Sequence, residues 1–339
     1  MVYAQSLSVN RKLKNMKLGI IGCGKIAGYH LSSMKNAGFK LHSISGTNNS
    51  SNAKHLKKKY NITKVFSNTE DHISSDEYDA LLFLTPHEIT YEYLSNVKSS
   101  VKILAEKPIT FYSSKLKKLK RNKNIRIAFN RRQYFGVNFI KSKINNNDIF
   151  LIEASIPENI KFLEGKKQHV NYKNFREKYF NIFYNSVHIF DLIRYLVGSN
   201  TISSIEHIKD KTNRLRGYTI NIKSKKVKNI KINSIFNSSD NFSLKAYSNK
   251  ARYELCPIEL FSEYKGAKII EPTSKYPLRR YVPIITKNRA ELIKNSSKPG
   301  FDKQAQAFFD FCNKKKTNLA TIDDMLDSIS LAERIFEYL

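Results

Sequence analysis

The sequence has few of the residues that mark disulfide-rich, zinc-binding or membrane proteins. Its 339 residues include no tryptophan, 12 glycines, 8 prolines and 3 cysteines. Cys23, Cys256 and Cys312 are too few and too far apart for a disulfide framework or a zinc site. No apolar run approaches the ~18 residues of a membrane span, and the first fifteen residues contain no secretory apolar segment. We therefore expect a cytoplasmic protein with no membrane partner and no bound metal.

Acidic residues are also scarce, with 29 Asp and Glu against 59 Lys and Arg, which gives a formal net charge of +30. Such a charge is typical of nucleic-acid binding. Here, however, the lysines are scattered in runs at 54–59, 115–123 and 223–231, and the sequence contains no recognisable nucleic-acid-binding module. Abundant Lys, Asn and Ile are the residues that A/T-rich codons favour. We expect no nucleic-acid partner, although a basic surface favours an anionic small molecule.

Residues 17–30, KLGIIGCGKIAGYH, form the most informative stretch of the chain. A short apolar run is followed by the spacing G-x-G-x-x-A and then by an amphipathic segment, which is the order strand, glycine turn, helix. Gly22 permits a sharp turn, Gly24 lets a pyrophosphate approach the backbone, and Ala27 allows the helix to pack closely on the strand. The helix N-terminus would hold the phosphates. The alternative is a glycine turn in another kind of α/β protein. The cofactor contacts predicted here are Gly22, Cys23, Gly24, Lys25 and Ile26.

Strand and helix patterns alternate from this turn to about residue 130 and predict a doubly wound parallel sheet. The second strand, 40–47, ends where such a unit usually contacts the adenosine ribose. Thr47 and Asn48 stand there, so neither the carboxylate that suits NAD nor the arginine that suits NADP is present. The sequence therefore predicts NAD or NADP without resolving the two.

The pattern changes after residue 130, where short strand-like segments are joined by polar turns and interrupted by a helix at about 186–197. These segments predict an α+β region with a large, mostly antiparallel, open sheet; the Asn- and Lys-rich stretch 286–298 is interpreted as a loop. We accordingly predict an N-terminal extension at 1–15, a dinucleotide-binding domain at 16–130, and a substrate-binding and oligomerisation domain at 131–339. Met16 is a candidate start of the protein, because strands of this type usually begin near the N-terminus.

Several local motifs occur in a fixed order along the chain. They are GCGKIAGYH (22–30), TPHE (85–88), AEKPI (105–109), FNRR (129–132), NSVHIFDLIRYLVG (185–198) and PGFDKQAQAFFDF (299–311). From about Met16 to the C-terminus the chain resembles the Gfo/Idh/MocA oxidoreductases, the family of glucose–fructose oxidoreductase and inositol dehydrogenase. The resemblance implies a Rossmann domain, hydride transfer between NAD(P) and a sugar, polyol or sugar nucleotide, and a homo-oligomer, dimer or tetramer, formed through the open sheet.

Lys107 is the first candidate catalytic residue. It follows a buried strand whose carboxyl end opens into the ligand crevice of a doubly wound sheet. Partial desolvation and a nearby cationic nicotinamide would both depress its pKa, so that it could exchange a proton with a substrate hydroxyl. The alternative is an ordinary lysine at a strand end, but the family places its proton-transfer and substrate-binding lysine here. Glu106 is expected to bind the nicotinamide ribose or to hold the lysine. Thr85, Pro86 and His87 match the family loop that passes under the cofactor.

His188 is the second candidate catalytic residue. It lies on an otherwise apolar helix, in a polar stripe with Tyr184, Asp191 and Tyr195. Such a histidine is usually a core residue, but this one matches the catalytic histidine of the family and would bind the substrate hydroxyl. Asp191 either contacts substrate or orients the helix. Many relatives carry an aspartate where this chain has Tyr184, followed by Asn185, so the family's carboxylate base is missing.

Arg131 and Arg132 complete the predicted substrate contacts, as ligands of an anionic group. Salt bridges at the domain joint are the alternative. The resulting prediction is an NAD(P)-dependent oxidoreductase of a sugar-like, possibly anionic substrate, with a role in cell-surface polysaccharide synthesis. A dinucleotide-binding sensor or subunit without redox turnover is the alternative function, because Tyr184 replaces the acid.

Overall fold

The computed structural model describes residues 16–47, 50–160, 175–291 and 297–337. The chain divides into two compact units. The first is Met1–Gln133 with Ile293–Glu333, and the second is Tyr134–Leu292 with Arg334–Leu339. The predicted extension at 1–15 lies outside the described residues. No helix among the described residues is long and apolar enough to span a bilayer.

The first unit is built on a six-stranded parallel sheet with the order β3-β2-β1-β4-β5-β6. Its strands are β1 (Lys17–Ile21), β2 (Lys40–Ser45), β3 (Lys64–Phe66), β4 (Ala80–Phe83), β5 (Lys102–Ala105) and β6 (Ile125–Ile127). The central strands read as continuous apolar runs because helices cover both faces of the sheet, and all four residues of β4 are fully buried. The predicted doubly wound parallel sheet is confirmed.

Helices alternate with these strands, as the sequence pattern indicated. They are α1 (Ala27–Asn36), α2 (Ser51–Tyr60), α3 (Thr69–Ser74), α4 (His87–Ser95) and α5 (Ser113–Leu119), followed by a 3₁₀ turn at Asn130–Gln133. The Ser50 side chain accepts a hydrogen bond from the N–H of Ala53 and so caps α2. The Asn68 side chain caps α3, a short helix that the sequence analysis missed, through the N–H of Asp71.

The second unit contains an eight-stranded sheet with the order β14-β13-β12-β11-β7-β10-β9-β8. Its strands are β7 (Leu151–Ile156), β8 (Asn200–Lys209), β9 (Leu215–Ser224), β10 (Asn229–Ile235), β11 (Ser243–Tyr247), β12 (Arg252–Leu255), β13 (Leu260–Ile270) and β14 (Arg280–Ala290). Strands β7 and β10 are parallel, and the other neighbours are antiparallel. The predicted large, mostly antiparallel sheet is confirmed. Strand β14 occupies part of the stretch interpreted as a loop at 286–298.

The helices of the second unit are α6 (Phe135–Asn145), α7 (Phe175–Lys178) and α8 (Val187–Val197). A π-helical turn at Ile182–Ser186 leads directly into α8. Phe135 and Phe139 of α6 pack on Phe261 of β13, with ring centroids 5.6 and 5.1 Å away. Gly136 allows this approach, since a Cβ there would lie 2.4 Å from a methyl group of Leu255 and 2.8 Å from Cβ of Phe261.

The C-terminal helices are α9 (Phe301–Cys312) and α10 (Ile322–Arg334). The unit to which they belong differs from the predicted domain division. The sequence analysis assigned them to a domain at 131–339, but residues 293–333 belong to the first unit. The reason is aromatic packing: the rings of Phe308 and Phe309 lie 5.5 and 5.1 Å from Phe39, which directly precedes β2. The chain therefore returns to complete the core of the first unit.

A fully buried histidine connects α3 to β2 through hydrogen bonds. His72 Nε2 lies 2.7 Å from Ser43 Oγ, and its Nδ1 lies 2.9 Å from Ser45 Oγ. The ring stacks on Phe66 at 4.4 Å. Burial lowers the pKa of His72 from 6.5 to about 4; the charge of Glu77 opposes this shift, while His42 and Lys64 add slightly to it. The folded protein therefore holds a neutral imidazole that the unfolded chain would protonate below about pH 6.5.

This depressed pKa predicts a loss of stability in acid. The unfolded state binds the proton more tightly, so the free energy of unfolding falls as the pH drops from about 6.5 to 4, by on the order of 3 kcal/mol. Urea unfolding of the wild type and His72→Gln, from pH 7 to pH 4, isolates this contribution, because the other groups titrate in both proteins. The stability advantage of the wild type should shrink towards pH 4; parallel pH profiles would contradict the assignment.

Candidate functional site

Steric crowding restricts the first position of the glycine turn after β1 to glycine. Gly22 has φ +104°, and its N–H donates to the carbonyl of Ser45 at 2.8 Å. A Cβ at Gly22 would lie 2.7 Å from the carbonyl carbon and oxygen of Leu84, just past β4. Glycine at this position therefore satisfies both the left-handed backbone and the close passage of the turn against the end of β4.

Gly24 faces open space instead. No atom of the surrounding structure lies within 4 Å of the position that its Cβ would take. Helix α1 starts at Ala27, which is fully buried against the sheet and donates its N–H to the carbonyl of Gly24 at 3.0 Å. Lys25 is exposed and Ile26 precedes the first helical residue. An open backbone at Gly24 beside free helix N–H groups fits a dinucleotide pyrophosphate.

Cys23 packs against the beginning of α2. Its Sγ lies 3.1 Å from Ser50 Oγ, and a Cβ on Gly46 would come within 2.5 Å of the same sulfur. Thr47 is exposed after β2, and its carbonyl accepts the N–H of Ser50 at 2.9 Å. The predicted cofactor contact at Asn48 lies outside the described residues.

The Thr85-Pro86-His87 segment leads from β4 into α4 and is tied to the first turn of that helix. Thr90 Oγ1 donates to the carbonyl of Pro86 at 2.7 Å and lies 2.8 Å from Thr85 Oγ1. The His87 ring stacks on Phe111 at 3.8 Å and lies 3.2 Å from a Glu88 carboxylate oxygen. Burial lowers the pKa of His87 more than Glu88 raises it, so the ring is neutral at pH 7.

Glu106 and Lys107 follow β5, and both are half-buried. The N–H of Glu106 donates to the carbonyl of Phe83 at 2.8 Å, which holds this segment beside the end of β4. Glu106 Oε1 lies 2.6 Å from His30 Nε2, while Oε2 accepts the backbone N–H of Lys107 at 3.1 Å. The Lys107–Pro108 peptide bond is cis. Both oxygens of the Glu106 carboxylate are thus held.

His30 is a site residue that the sequence analysis missed. It lies in α1, is 1% exposed, and packs on Phe301 with ring centroids 4.5 Å apart and ring planes tilted by 45°. The available signal was its position as the last residue of GCGKIAGYH, one turn after Ala27 on the buried face of the helix. Through the His30–Glu106 pair, the glycine-turn helix and the strand that carries Lys107 are joined directly.

Arg131 and Arg132 lie in the 3₁₀ turn that follows β6. Arg132 is buried, and its Nη1 lies 3.3 Å from an oxygen of Asp324 in α10. Burial would raise the pKa of Asp324, but the charge of Arg132 and hydrogen bonds from Thr321 outweigh burial and lower it. Arg132 therefore takes part in an ion pair of the first unit, and substrate binding by either arginine stays a prediction.

The remaining predicted residues lie in the second unit, on the π-helical turn and α8. Tyr184 is half-buried and packs edge-on against Phe180 at 6.3 Å, while the neighbouring Asn185 is exposed. His188 and Asp191 are 8% and 1% exposed and lie on α8 among apolar residues. The stripe ends at Tyr195, whose hydroxyl donates to Asn138 Oδ1 at 2.8 Å. The second unit thus places Tyr184 and Asn185 in the π-helical turn and His188 and Asp191 in α8, and their roles in substrate binding stay predictions.

Comparison with known proteins identifies the first unit. Residues 16–125 match the family model of the Gfo/Idh/MocA oxidoreductases, described as an oxidoreductase family with an NAD-binding Rossmann fold. No curated protein sequence matches the chain.

Solved structures resemble the chain over nearly its whole length. Levoglucosan dehydrogenase in complex with NADH and levoglucosan has a TM-score of 0.74 at 12% identity, covering 95% of this chain and 96% of that one. Scyllo-inositol dehydrogenase from Lactobacillus casei, with NAD(H) and scyllo-inositol, has a TM-score of 0.67 at 16% identity, covering 96% and 97%. A putative NADPH-dependent oxidoreductase from Desulfitobacterium hafniense has a TM-score of 0.73 at 13% identity, covering 95% and 94%. At such low identity these similarities establish the fold.

The contrast between the two glycines predicts opposite effects of the same substitution. Gly24→Ala meets no protein atom, so stability should change by no more than about 0.5 kcal/mol. Its methyl group would occupy the approach to the pyrophosphate and should weaken NADH binding at least tenfold. Gly22→Ala should instead destabilise the fold, by about 1–3 kcal/mol. Thermal unfolding and NADH titration check both variants.

Gly28→Ala is the matched control, since its Cβ would meet only the Tyr60 hydroxyl at 3.5 Å. Unchanged NADH affinity in Gly24→Ala would contradict the assignment of the pyrophosphate to this turn.

Proposed function

We propose that the chain transfers a hydride between NAD(P) and a hydroxyl-bearing carbon of a sugar-like substrate, because its residues 16–125 match the model of the Gfo/Idh/MocA oxidoreductases. The substrate class is a sugar, polyol or sugar nucleotide. The observation that carries this proposal is the geometry of the first unit. An open glycine turn at a helix N-terminus and a half-buried lysine at a neighbouring strand end are linked there by the His30–Glu106 pair.

Lys107 is proposed as the proton-transfer residue. When bound, the nicotinamide cofactor supplies the hydride acceptor or donor. Removal of a hydride from a carbinol carbon requires that the hydroxyl also lose its proton, and an unprotonated lysine amine can accept it. Lys107 is half-buried just past the carboxyl end of β5, the edge at which ligands bind in doubly wound sheets. Glu106, whose carboxylate is already fixed by His30 and by a backbone N–H, would accept a hydrogen bond from the nicotinamide ribose.

His188 is proposed to bind the substrate hydroxyl and assist the proton transfer. Tyr184 and Asn185 can hydrogen-bond a polyol, but neither can act as the carboxylate base that many relatives have at the position of Tyr184. Lys107 is therefore the principal base in this proposal. Binding of dinucleotide without turnover is the outcome expected if the replacement of that acid has abolished catalysis.

An anionic sugar, such as a sugar nucleotide used in surface-polysaccharide synthesis, is the proposed substrate. The excess of 59 basic over 29 acidic residues favours an anion, and Arg131 and Arg132 are the candidate ligands. The proposed location is the cytoplasm, where sugar nucleotides and reduced nicotinamide cofactors are available.

A homo-oligomer formed through the open sheet is also proposed, and the hairpin β13–β14 supports it. All eleven residues of edge strand β14 are exposed. The large hydrophobic residues that the hairpin exposes are Ile269, Tyr276, Leu278, Tyr281, Val282, Ile284 and Ile285. So many exposed apolar side chains on one hairpin are typical of an interaction surface.

The first test of the proposed function is cofactor binding and turnover. Thermal shifts with NAD, NADH, NADP and NADPH should show stabilisation by one oxidised and reduced pair, by about 2.7 kcal/mol at a hundredfold excess over Kd. Absorbance at the reduced nicotinamide band would then report oxidation of scyllo-inositol, levoglucosan and a panel of UDP-sugars. Binding without turnover on a broad panel would favour the sensor, and no binding would contradict both functions.

A lysine pair on one strand tests the proton-transfer residue. Lys107→Met should lower kcat by about 10²–10⁴-fold, the usual contribution of general acid–base catalysis, while the protein still binds cofactor. Lys102→Met, at the other end of β5, is the control and should leave kcat unchanged. Full turnover in Lys107→Met would contradict the proposed mechanism.

The hairpin predicts a change of assembly on substitution. Leu278 and Tyr281 are 75% and 64% exposed. Replacing both with lysine adds charge to an apolar contact and should convert the oligomer into monomers, measured by light scattering after size exclusion. Ile89→Lys, at an exposed position in the first unit, is the control. A monomeric wild type would contradict this assignment.

A further inference from the structure

A buried carboxylate lies beside the start of the helix that carries His188. Glu158 is two residues beyond β7, is 1% exposed, and is far in sequence from the family motifs. A buried carboxylate is costly unless hydrogen bonds compensate it. Its contacts therefore indicate what it is there to hold.

Those contacts converge on the π-helical turn. Ser186 Oγ donates to Glu158 Oε1 at 2.5 Å, the length expected of a hydroxyl bound to a carboxylate. Asn185 Nδ2 donates to Oε2 at 3.4 Å. Each oxygen thus binds a different side chain of the two residues that directly precede α8. The carboxylate bridges the end of strand β7 to the junction between the π-helical turn and α8.

The backbone of Glu158 is itself held in place by hydrogen bonds. The carbonyl of Glu158 accepts the N–H of Asn237 at 2.9 Å, and its own N–H donates to the carbonyl of Ile156 at 3.1 Å. The Tyr218 hydroxyl donates to Ser186 Oγ at 3.5 Å, and burial raises the pKa of Tyr218, so it remains a donor. Strand β9, Ser186 and Glu158 thus form one buried chain of hydrogen bonds.

The π-helical geometry explains why such a support is needed. A π-helical turn is rare and often occurs at functional sites. The turn at Ile182–Ser186 sets the rotation with which His188 enters α8, two residues later. A contact that fixes Ser186 therefore also fixes the backbone position from which the imidazole of His188 extends.

We propose that Glu158 is a positioning residue for the active site, which orients both His188 and the amide of Asn185. This inference rests on the proposed function. Many relatives have an acid at the position of Tyr184, and Glu158 would supply part of the positioning that this acid provides. Since a carboxylate only accepts hydrogen bonds, Asn185 must turn its nitrogen towards Glu158. Its amide oxygen is then left as an acceptor for a substrate hydroxyl.

The experiment replaces Glu158 with glutamine, which preserves shape and removes the charge. In Glu158→Gln one carboxylate oxygen becomes an amide nitrogen, so either Asn185 must turn its amide over or Ser186 Oγ must accept a hydrogen bond instead of donating one. With labelled histidines, the His188 ring signal, assigned with His188→Gln, should move. The His30 and His72 signals, from the first unit, should not. Ser186→Ala should move the same signal, and it keeps the inference testable if Glu158→Gln does not fold.

Reciprocal exchange provides the sharper test. In Glu158→Gln with Asn185→Asp, an amide again faces a carboxylate across the same gap, and the His188 signal should return towards its wild-type position. Glu153→Gln, on β7, is the matched control, because Glu153 bonds only the Tyr247 hydroxyl among the side-chain hydrogen bonds described for it. An unmoved His188 signal in folded Glu158→Gln, or no recovery in the exchange, would overturn the inference.

Turnover distinguishes this inference from the proposed function. With a substrate found in the screen, Glu158→Gln should lower kcat at least tenfold with little change in NADH affinity, since small misplacements of catalytic groups carry such costs. If the wild type is active and Glu158→Gln has the same kcat, the positioning role is contradicted but the proposed oxidoreductase activity is not. A moved His188 signal without turnover in any variant would support the positioning role and contradict the proposed oxidoreductase activity.

Discussion

The first unit depends on the close approach of the β1 turn to the end of β4. Gly22 has a left-handed backbone, and a side chain there would overlap the carbonyl of Leu84. Strands β1 and β4 are neighbours at the point where the strand order reverses, which is where ligands bind in doubly wound sheets. Because the turn at Gly22 is tight, Gly24 and the N-terminus of α1 lie at this edge with open space beside them. The proposed cofactor site thus depends on one steric constraint.

Buried polar groups in both units are held by specific partners. His30 holds Glu106, Arg132 holds Asp324, and Ser186 holds Glu158. Each partner comes from a distant part of the sequence, so these bonds form only when the chain has folded. Low dielectric around a buried group makes a satisfied pair strong and an unsatisfied one costly. The same bonds that make burial tolerable therefore fix the directions of the candidate site residues.

Sequence patterns predicted most elements of the parallel sheet but missed strand β14 and helix α6 of the second unit. The apolar run of β4 and the glycine turn are strong local signals, because a strand buried on both faces excludes polar residues. Strand β14 carries no such signal, since all of it is exposed and it contains Pro283 and scattered charges. Helix α6 was missed because its aromatic residues have low helix propensity, and its stability comes from packing on β13. Predicted roles at Lys107, His188, Arg131 and Asp191 remain predictions, because a role depends on a bound substrate.

What the sequence by itself determined is the nucleotide-binding architecture: the order strand, glycine turn, helix, and the residues at the strand ends. These depend on backbone conformation and local burial, which residue types encode directly. Tertiary structure alone decided that α9 returns to pack on Phe39, that His30 binds Glu106, and that Glu158 supports the start of α8. Such contacts join residues 76 positions apart in the case of His30 and Glu106. No local pattern specifies them, because each depends on where two separate elements meet.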